Sequence, residues 1–336
     1  MVSIKGTLKW RPASLVVSMI SENRTVQAYS FSRTVNMELP RPMITSNTIT
    51  MAIIAFFILV VTSLVGVYRR CLDEAFQRQH HIHIAVSAGG IDPRILPGAE
   101  VTVHGKCELY GIIGAKPPHL LSEDDRKAAI KMKDLAIDVG YRNPSELVSV
   151  GDFVTFRPNF SNLAGDYVSS KALDNRAGVM AVLMAMNELS DCPHTVQVML
   201  STGEERGCVG ASGGMFDISP DMAIVVDVTF GISPGCDEDC CFELGSGGAV
   251  CTGPNICKAL FDKIVKTAEE NNIPYQIEVE GGDAGTNAGV IQLSNEGVAT
   301  AMISIPIRYM HTPVEVVKRS DIENVSRLIA EVCKNA

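Results

Sequence analysis

Five residues in the C-terminal half of the chain are of types that could do chemistry together: Asp174, Glu204, Glu205, Asp227 and His311. Carboxylates mixed with imidazole bind divalent cations such as Zn²⁺, Co²⁺ or Mn²⁺. Side-by-side glutamates offer one ligand and one general base. Most of the set also has a plainer reading. Asp174 before Asn175-Arg176 suits a helix N-cap, Glu204-Glu205 suits a solvated turn, and His311 before Thr312-Pro313 suits a loop histidine. Asp227 is harder to treat that way, because a carboxylate directly after Ile224-Val225-Val226 faces burial and then needs a charged partner. One at a time the plain readings win. Four acidic or imidazole residues all at strand ends favour a metal site.

The elements that must position these residues show in the hydrophobic pattern. Stretches 195–201, 222–226 and 299–305 are apolar, β-branched runs suited to buried parallel strands. Asp174 opens a helix through Leu189, 255–272 is an amphipathic helix, 276–279 a short strand, and 320–332 a closing helix. Such alternation predicts an α/β layer with helices on both faces of a sheet. In sheets of that kind functional groups gather at the C-terminal ends of the strands. Glu204-Glu205 follow the first run, Asp227 ends the second, and His311 lies past the third. Ahead of them, from Gly89 to about Gly165, short alternating runs at 101–103, 109–113 and 153–156 are separated by Pro-Gly and Gly-Asp turns. Within that β-rich stretch, 122–134 reads as a helix, with Ser122 and Asp125 spaced as a capping box whose Glu is shortened to Asp.

The chain has 336 residues, 46% of them hydrophobic, which is room for two domains and a packed core. Its charge is uneven. Residues 1–70 hold eight Lys/Arg against Glu22 and Glu38, a net +6, and the remainder carries −15. An acidic body excludes nucleic acid as a partner. Ten cysteines are scattered through core-patterned sequence rather than set out as a secreted disulfide framework. Cys236, Cys240 and Cys241 cluster in a Gly/Pro/Asp loop and read as reduced thiols, because no second Cys pair or His stands at zinc-ligand spacing. Residues 1–47 form a basic segment with no sustained period and stay unassigned, as do 71–88. Between them, 48–70 approaches the ~20 apolar residues that span a bilayer. It has three readings: a transmembrane anchor, a targeting presequence, or translated sequence foreign to this fold.

Ser170-Lys171-Ala172-Leu173-Asp174-Asn175-Arg176, Ser201-Thr202-Gly203-Glu204-Glu205, Val225-Val226-Asp227-Val228 and Arg308-Tyr309-Met310-His311-Thr312-Pro313-Val314-Glu315 resemble the signatures of the tetrahedral aminopeptidase family. These are co-catalytic di-metal exopeptidases that include glutamyl and deblocking aminopeptidases. Gly89-Gly90-Ile91-Asp92-Pro93-Arg94 and Gly114-Ala115-Lys116-Pro117-Pro118-His119-Leu120 resemble the family's inserted dimerisation domain. The resemblance runs from about 89 to 332. It implies a zinc-exopeptidase-like sheet with helices on both faces at 166–336 and a small β-rich dimerisation domain at 89–165. It also implies a cytoplasmic metallo-aminopeptidase that removes N-terminal residues from peptides through a water activated by two divalent ions, zinc or cobalt, with manganese as a third candidate. Carried over by position, Asp174 would bridge the two ions, Glu205 and His311 would complete one site, and Asp227 would belong to the other. Glu204 would be the general base, and the Asp174–Asn175 peptide bond would be cis. Homo-oligomers, from dimers to dodecamers, are the implied assembly. A membrane enters only if 48–70 is an anchor.

The chain also departs from the family. The other metal site needs a histidine from an Ala-His-Met-Asp-Glu-like motif, and no His-x-Asp occurs here. His80, His81 and His83 stand too close to Gly89 to replace it. Asn287 occupies a position where family members usually carry Asp. The family's N-terminal catalytic segment is not recognisable in 1–88, which predicts an unpaired sheet edge and makes a mis-joined start the favoured reading of the head. One ion retained, and a catalytically impaired relative with a scaffold role, form the alternative. An endoglucanase fits less well: a carboxylate pair can hydrolyse sugars but has no need of Asp174, Asp227 and His311 together.

Overall fold

The computed structural model describes residues 91–336, except 141, 142 and 283, and five strands ahead of them. Those strands are β1 (Gly6–Leu8), β2 (Val35–Met37), β3 (Thr50–Phe56), β4 (Val65–Val67) and β5 (His81–Ser87). Two compact units result. The smaller is built on Val60–Phe160; the larger takes Ser161–Met310, Glu315–Ala336 and the strands before residue 60.

In the smaller unit β6 (Glu100–His104), β7 (Glu108–Gly114), α1 (Glu123–Lys127), β8 (Ala136–Asp138) and β9 (Phe153–Phe156) follow one another. The strands close a barrel in the order β4-β5-β8-β7-β6-β9. Alternation fills it: Val101 and Val103 point inward from β6, where they meet Leu96, Ile113, Leu135, Ile137 and Val154. The expected helix over 122–134 is shorter than the spacing suggests. Its capping box forms, with the Asp125 N–H donating to Ser122 Oγ at 3.1 Å and the Asp125 carboxylate accepting in return from Ser122. Yet all five residues of α1 are exposed and Ala128 is already extended. A helix with no apolar face to bury does not propagate past its cap.

The larger unit continues with β10 (Ser161–Asn162), β11 (Tyr167–Ser170), α2 (Leu173–Asn187), β12 (Thr195–Ser201), α3 (Val209–Gly214), β13 (Met222–Phe230) and β14 (Gly248–Thr252). It ends with α4 (Lys258–Glu270), β15 (Tyr275–Val279), α5 (Asn287–Ile291), β16 (Ala299–Ile307), β17 (Glu315–Lys318) and α6 (Arg319–Lys334). The main sheet runs β12-β3-β13-β16-β14-β15. Its first four strands are mutually parallel, while β14 lies antiparallel to β16.

Alternate residues of β13 feed two cores. Ile224, Val226 and Val228 join residues of α2, α4 and α6, such as Val182, Ile264 and Leu328. Ala223 and Val225 join Ala211 of α3 and Ala288 of α5 on the opposite face. A strand covered on both faces reads in sequence as an unbroken apolar run. The structure corrects one expectation here: β13 continues to Phe230, so Asp227 stands inside the strand and not at its end. Part of the 48–70 run, Thr50–Phe56, is a strand between β12 and β13. No helix among the described residues is long and apolar enough to cross a membrane.

Candidate metal centre

Asp174 is presented by an irregular helix start. Ala172 is left-handed (φ 55°), Asp174 is non-helical, and the Asp174–Asn175 peptide bond is cis. Arg176 braces this turn from within, donating from Nε to the Ala172 carbonyl at 2.9 Å and from Nη2 to the Lys171 carbonyl at 2.8 Å. Asn175 ties it to the sheet: Nδ2 donates to the Val226 carbonyl at 2.7 Å, and Oδ1 accepts from the Gly178 N–H at 3.0 Å. The cap position is Ala172, so Asp174 does not serve as an N-cap.

Glu204 and Glu205 sit on a tight turn beyond β12, bracketed by Gly203 (φ 69°) and Gly207 (φ 89°), a left-handed region where glycine carries no steric cost. The turn is pinned to α3, where the Gly210 N–H donates to the Thr202 carbonyl at 2.9 Å. A Cβ on Gly210 would fall 2.1 Å from that oxygen. His311 follows β16 in a turn where both Tyr309 (φ 57°) and His311 (φ 63°) are left-handed.

These three segments bring one ligand atom each from Asp174, Glu205 and His311 within 4.8 Å of one another. Such spacing suits a cation held at about 2.0–2.2 Å from O and N donors. Asp174 is buried and the other two are exposed, so the group opens to solvent on one side. Asp227 is buried, and its Oδ1 accepts from the Val228 N–H at 2.9 Å. Burial pushes its carboxyl well above the usual carboxylate range, and the Asp174 and Glu204 carboxylates push it further. Carboxylates crowded in this way are what a divalent ion neutralises, and the donor set fits one.

The strand next to Asp227 brings no imidazole. β3 pairs Phe56 with Ser201 at its C-terminal end, and the sequence beyond it, Phe57-Ile58-Leu59-Val60-Val61-Thr62-Ser63-Leu64, holds no His, Cys, Asp or Glu. His81 and His83 belong to β5 of the barrel, and His80 lies outside the described residues.

Two further residues support the centre: Glu315, which the sequence showed only as part of a signature, and Asn287, which it showed only as a departure from the family pattern. Glu315, 3% exposed, accepts the Asp174 N–H at 3.1 Å. Asn287, fully buried, donates from Nδ2 to Ser201 Oγ at 2.9 Å at the end of β12, while its Oδ1 has no partner among the described residues. The His-Thr-Pro-Val-Glu sequence was the one available signal for Glu315.

The family model of the M42 glutamyl aminopeptidases matches residues 82–328. The chain belongs to this family. Within the M42 relatives, the lysyl aminopeptidase of Pyrococcus furiosus is 34% identical over 249 residues, 72% of each chain. Among solved structures, aminopeptidase APDkam598 of the archaeon Desulfurococcus kamchatkensis is 30% identical with a TM-score of 0.75, covering 87% of this chain and 81% of its own. The TET1 peptidase of Pyrococcus horikoshii, which can assemble into a tetrahedron or a large octahedral shell, is 31% identical with a TM-score of 0.70, covering 86% and 85%. This M42 chain is therefore a hydrolase of the aminopeptidase class, and its family implies divalent metal.

Proposed function

We propose that this M42 aminopeptidase removes N-terminal residues from peptides at a centre where Asp174, Glu205 and His311 hold a divalent ion and Glu204 is the general base. The observation that carries the reading is the convergence of three ligand atoms within 4.8 Å from three separate segments. Bound divalent ions supply Lewis acidity, polarising a peptide carbonyl and lowering the pKa of water. The chain's own groups do the rest. Glu204 shares a turn with Glu205, so a base beside a ligand can take the proton of the attacking water and return it to the leaving amine. The acidic cluster attracts the protonated α-amino group of a substrate and so favours peptides with free N-termini. Asp227 would share a second ion with Asp174, and with no imidazole beside it among the described residues that ion binds more weakly than the first. Zinc or cobalt suits the donors best, with manganese next. The same reading makes the enzyme a cytoplasmic homo-oligomer, which the shells formed by the TET1 relative support.

The test is metal analysis of the purified chain together with release of p-nitroaniline from aminoacyl substrates. At least one tightly held ion per chain is expected, with activity lost to a chelator and restored by zinc or cobalt. A chain that binds no ion and shows no metal-restored activity is the impaired relative instead.

A further inference from the structure

The loop between β13 and β14 carries three thiols that peptide hydrolysis does not use: Cys236, Cys240 and Cys241. Its ends are pinned together. The Phe242 N–H donates to the Phe230 carbonyl at 2.8 Å, and the Ile232 N–H donates to the Phe242 carbonyl at 2.9 Å. Residues 232–241 therefore leave the sheet and return to the same point. Inside this excursion two turns follow one another, with the Cys236 N–H donating to the Ser233 carbonyl at 3.1 Å and the Cys240 N–H to the Asp237 carbonyl at 3.1 Å. The Ser233 N–H also points at Cys236 Sγ, 3.3 Å away, which fixes the direction of that side chain. The second of these turns, Asp237 to Cys240, reverses the chain between Cys236 and Cys241, which flank it, and both Cys236 and Cys240 lie close enough to Cys241 to act on its charge. Cys236 and Cys241 are half-buried, Cys240 is exposed, and all three are free. They do not form a cation site: among the described residues the group with metal-ligand spacing is Asp174, Glu205 and His311.

We propose that Cys236 and Cys241 are a redox pair that closes a reversible disulfide across this loop by exchange with a low-molecular-weight disulfide. One protein thiolate attacks a sulfur of the oxidant, releasing one small thiol and leaving a mixed disulfide. The second protein thiolate attacks the protein-side sulfur, forming the Cys236–Cys241 bond and releasing the second small thiol. The pair gives up two electrons, the small disulfide gains them, and the two thiol protons end on the released thiols. Burial, followed by the neighbouring Cys236 and Cys240 sulfurs, pushes the Cys241 thiol up to about 11. Its participation is therefore slow at neutral pH and quickens with base, because the thiolate is the nucleophile. The loop is also anchored by Arg308, whose Nε donates to the Ile232 carbonyl at 2.7 Å, so the ring closes against a fixed base.

The exposed Asp237 and Asp239 of the loop disfavour anionic oxidants, so the probe is the neutral bis(2-hydroxyethyl) disulfide, added to the full chain. Free thiols are then alkylated and the protein is mapped without reduction. The expected result is a Cys236–Cys241 linked peptide carrying no reagent adduct, reversed by dithiothreitol and formed about tenfold faster per pH unit on the alkaline side of neutrality. Cys236→Ser and Cys241→Ser should each abolish the link, while Cys240→Ser keeps it. A mixed disulfide that never resolves into the ring, or a Cys240–Cys241 link in its place, overturns the proposal. Neither readout depends on peptidase activity.

Discussion

Glu204 and Glu205 are neighbours in sequence and on the same turn, yet the proposed centre gives them separate work, and substitution can tell them apart. Glu204→Gln keeps the shape and removes the proton acceptor, so kcat should fall by about 10²–10⁴-fold while bound metal is unchanged. His311→Ala should instead lower metal content along with activity; equal loss of metal in both variants would remove the distinction on which the roles rest. Glu315 is the residue that its type conceals. A glutamate is ordinarily a surface residue, and its burial here follows from β17 lying beside β11 and beneath the start of α2, which no local pattern announces. Glu315→Ala would leave the buried Asp174 N–H unsatisfied, for about 1–3 kcal/mol of lost stability by denaturant unfolding. A neutral result would mean that water replaces the carboxylate there.

The elements were legible in proportion to how fully the sheet covers them. β12 coincides with the run at 195–201, and β16 extends the run at 299–305 by two residues, because strands buried on both faces keep a continuous apolar signature. β14 escaped notice: five residues, Gly-Ala-Val-Cys-Thr, behind Gly-Ser-Gly resemble a loop until a neighbour pairs with them. The 48–70 run shows a different limit, since hydropathy alone does not separate a lipid-facing helix from a strand covered on both sides, such as Thr50–Phe56. β15 carries a testable cost of its own. Glu278 is 6% exposed and receives hydrogen bonds from the Thr229 and Ser304 hydroxyls. Burial raises its carboxyl above the ordinary range; the two hydroxyls oppose this, and Glu280 adds to it. A carboxyl whose folded pKa lies above its unfolded value, about 4.3 for glutamate, contributes its full stability below that value and loses it as pH rises through the folded one. Glu278→Gln stays neutral throughout. Its melting temperature should match the parent near pH 4 and exceed it increasingly towards neutrality; a difference that shrinks with rising pH would contradict the burial account.

At the scale of the molecule, the same seven residues cannot serve two environments. Among the described residues Thr50–Phe56 supplies every strand partner of β12, from Thr195–Thr50 to Ser201–Phe56, and also pairs with β13 from Met222 to Val226. A helical bilayer segment satisfies its backbone internally, whereas these backbone groups are bonded sideways into the sheet. Removing residues 1–59 should therefore leave β12 without a ladder and β13 exposed along one side, an open apolar edge that invites association. The shortened chain is expected to aggregate or to lose cooperative unfolding of the larger unit, while the full chain stays in the supernatant after high-speed centrifugation without detergent. A soluble, cooperatively melting 60–336 product would show that the sheet closes without β3. A full chain that requires detergent would return 48–70 to the membrane.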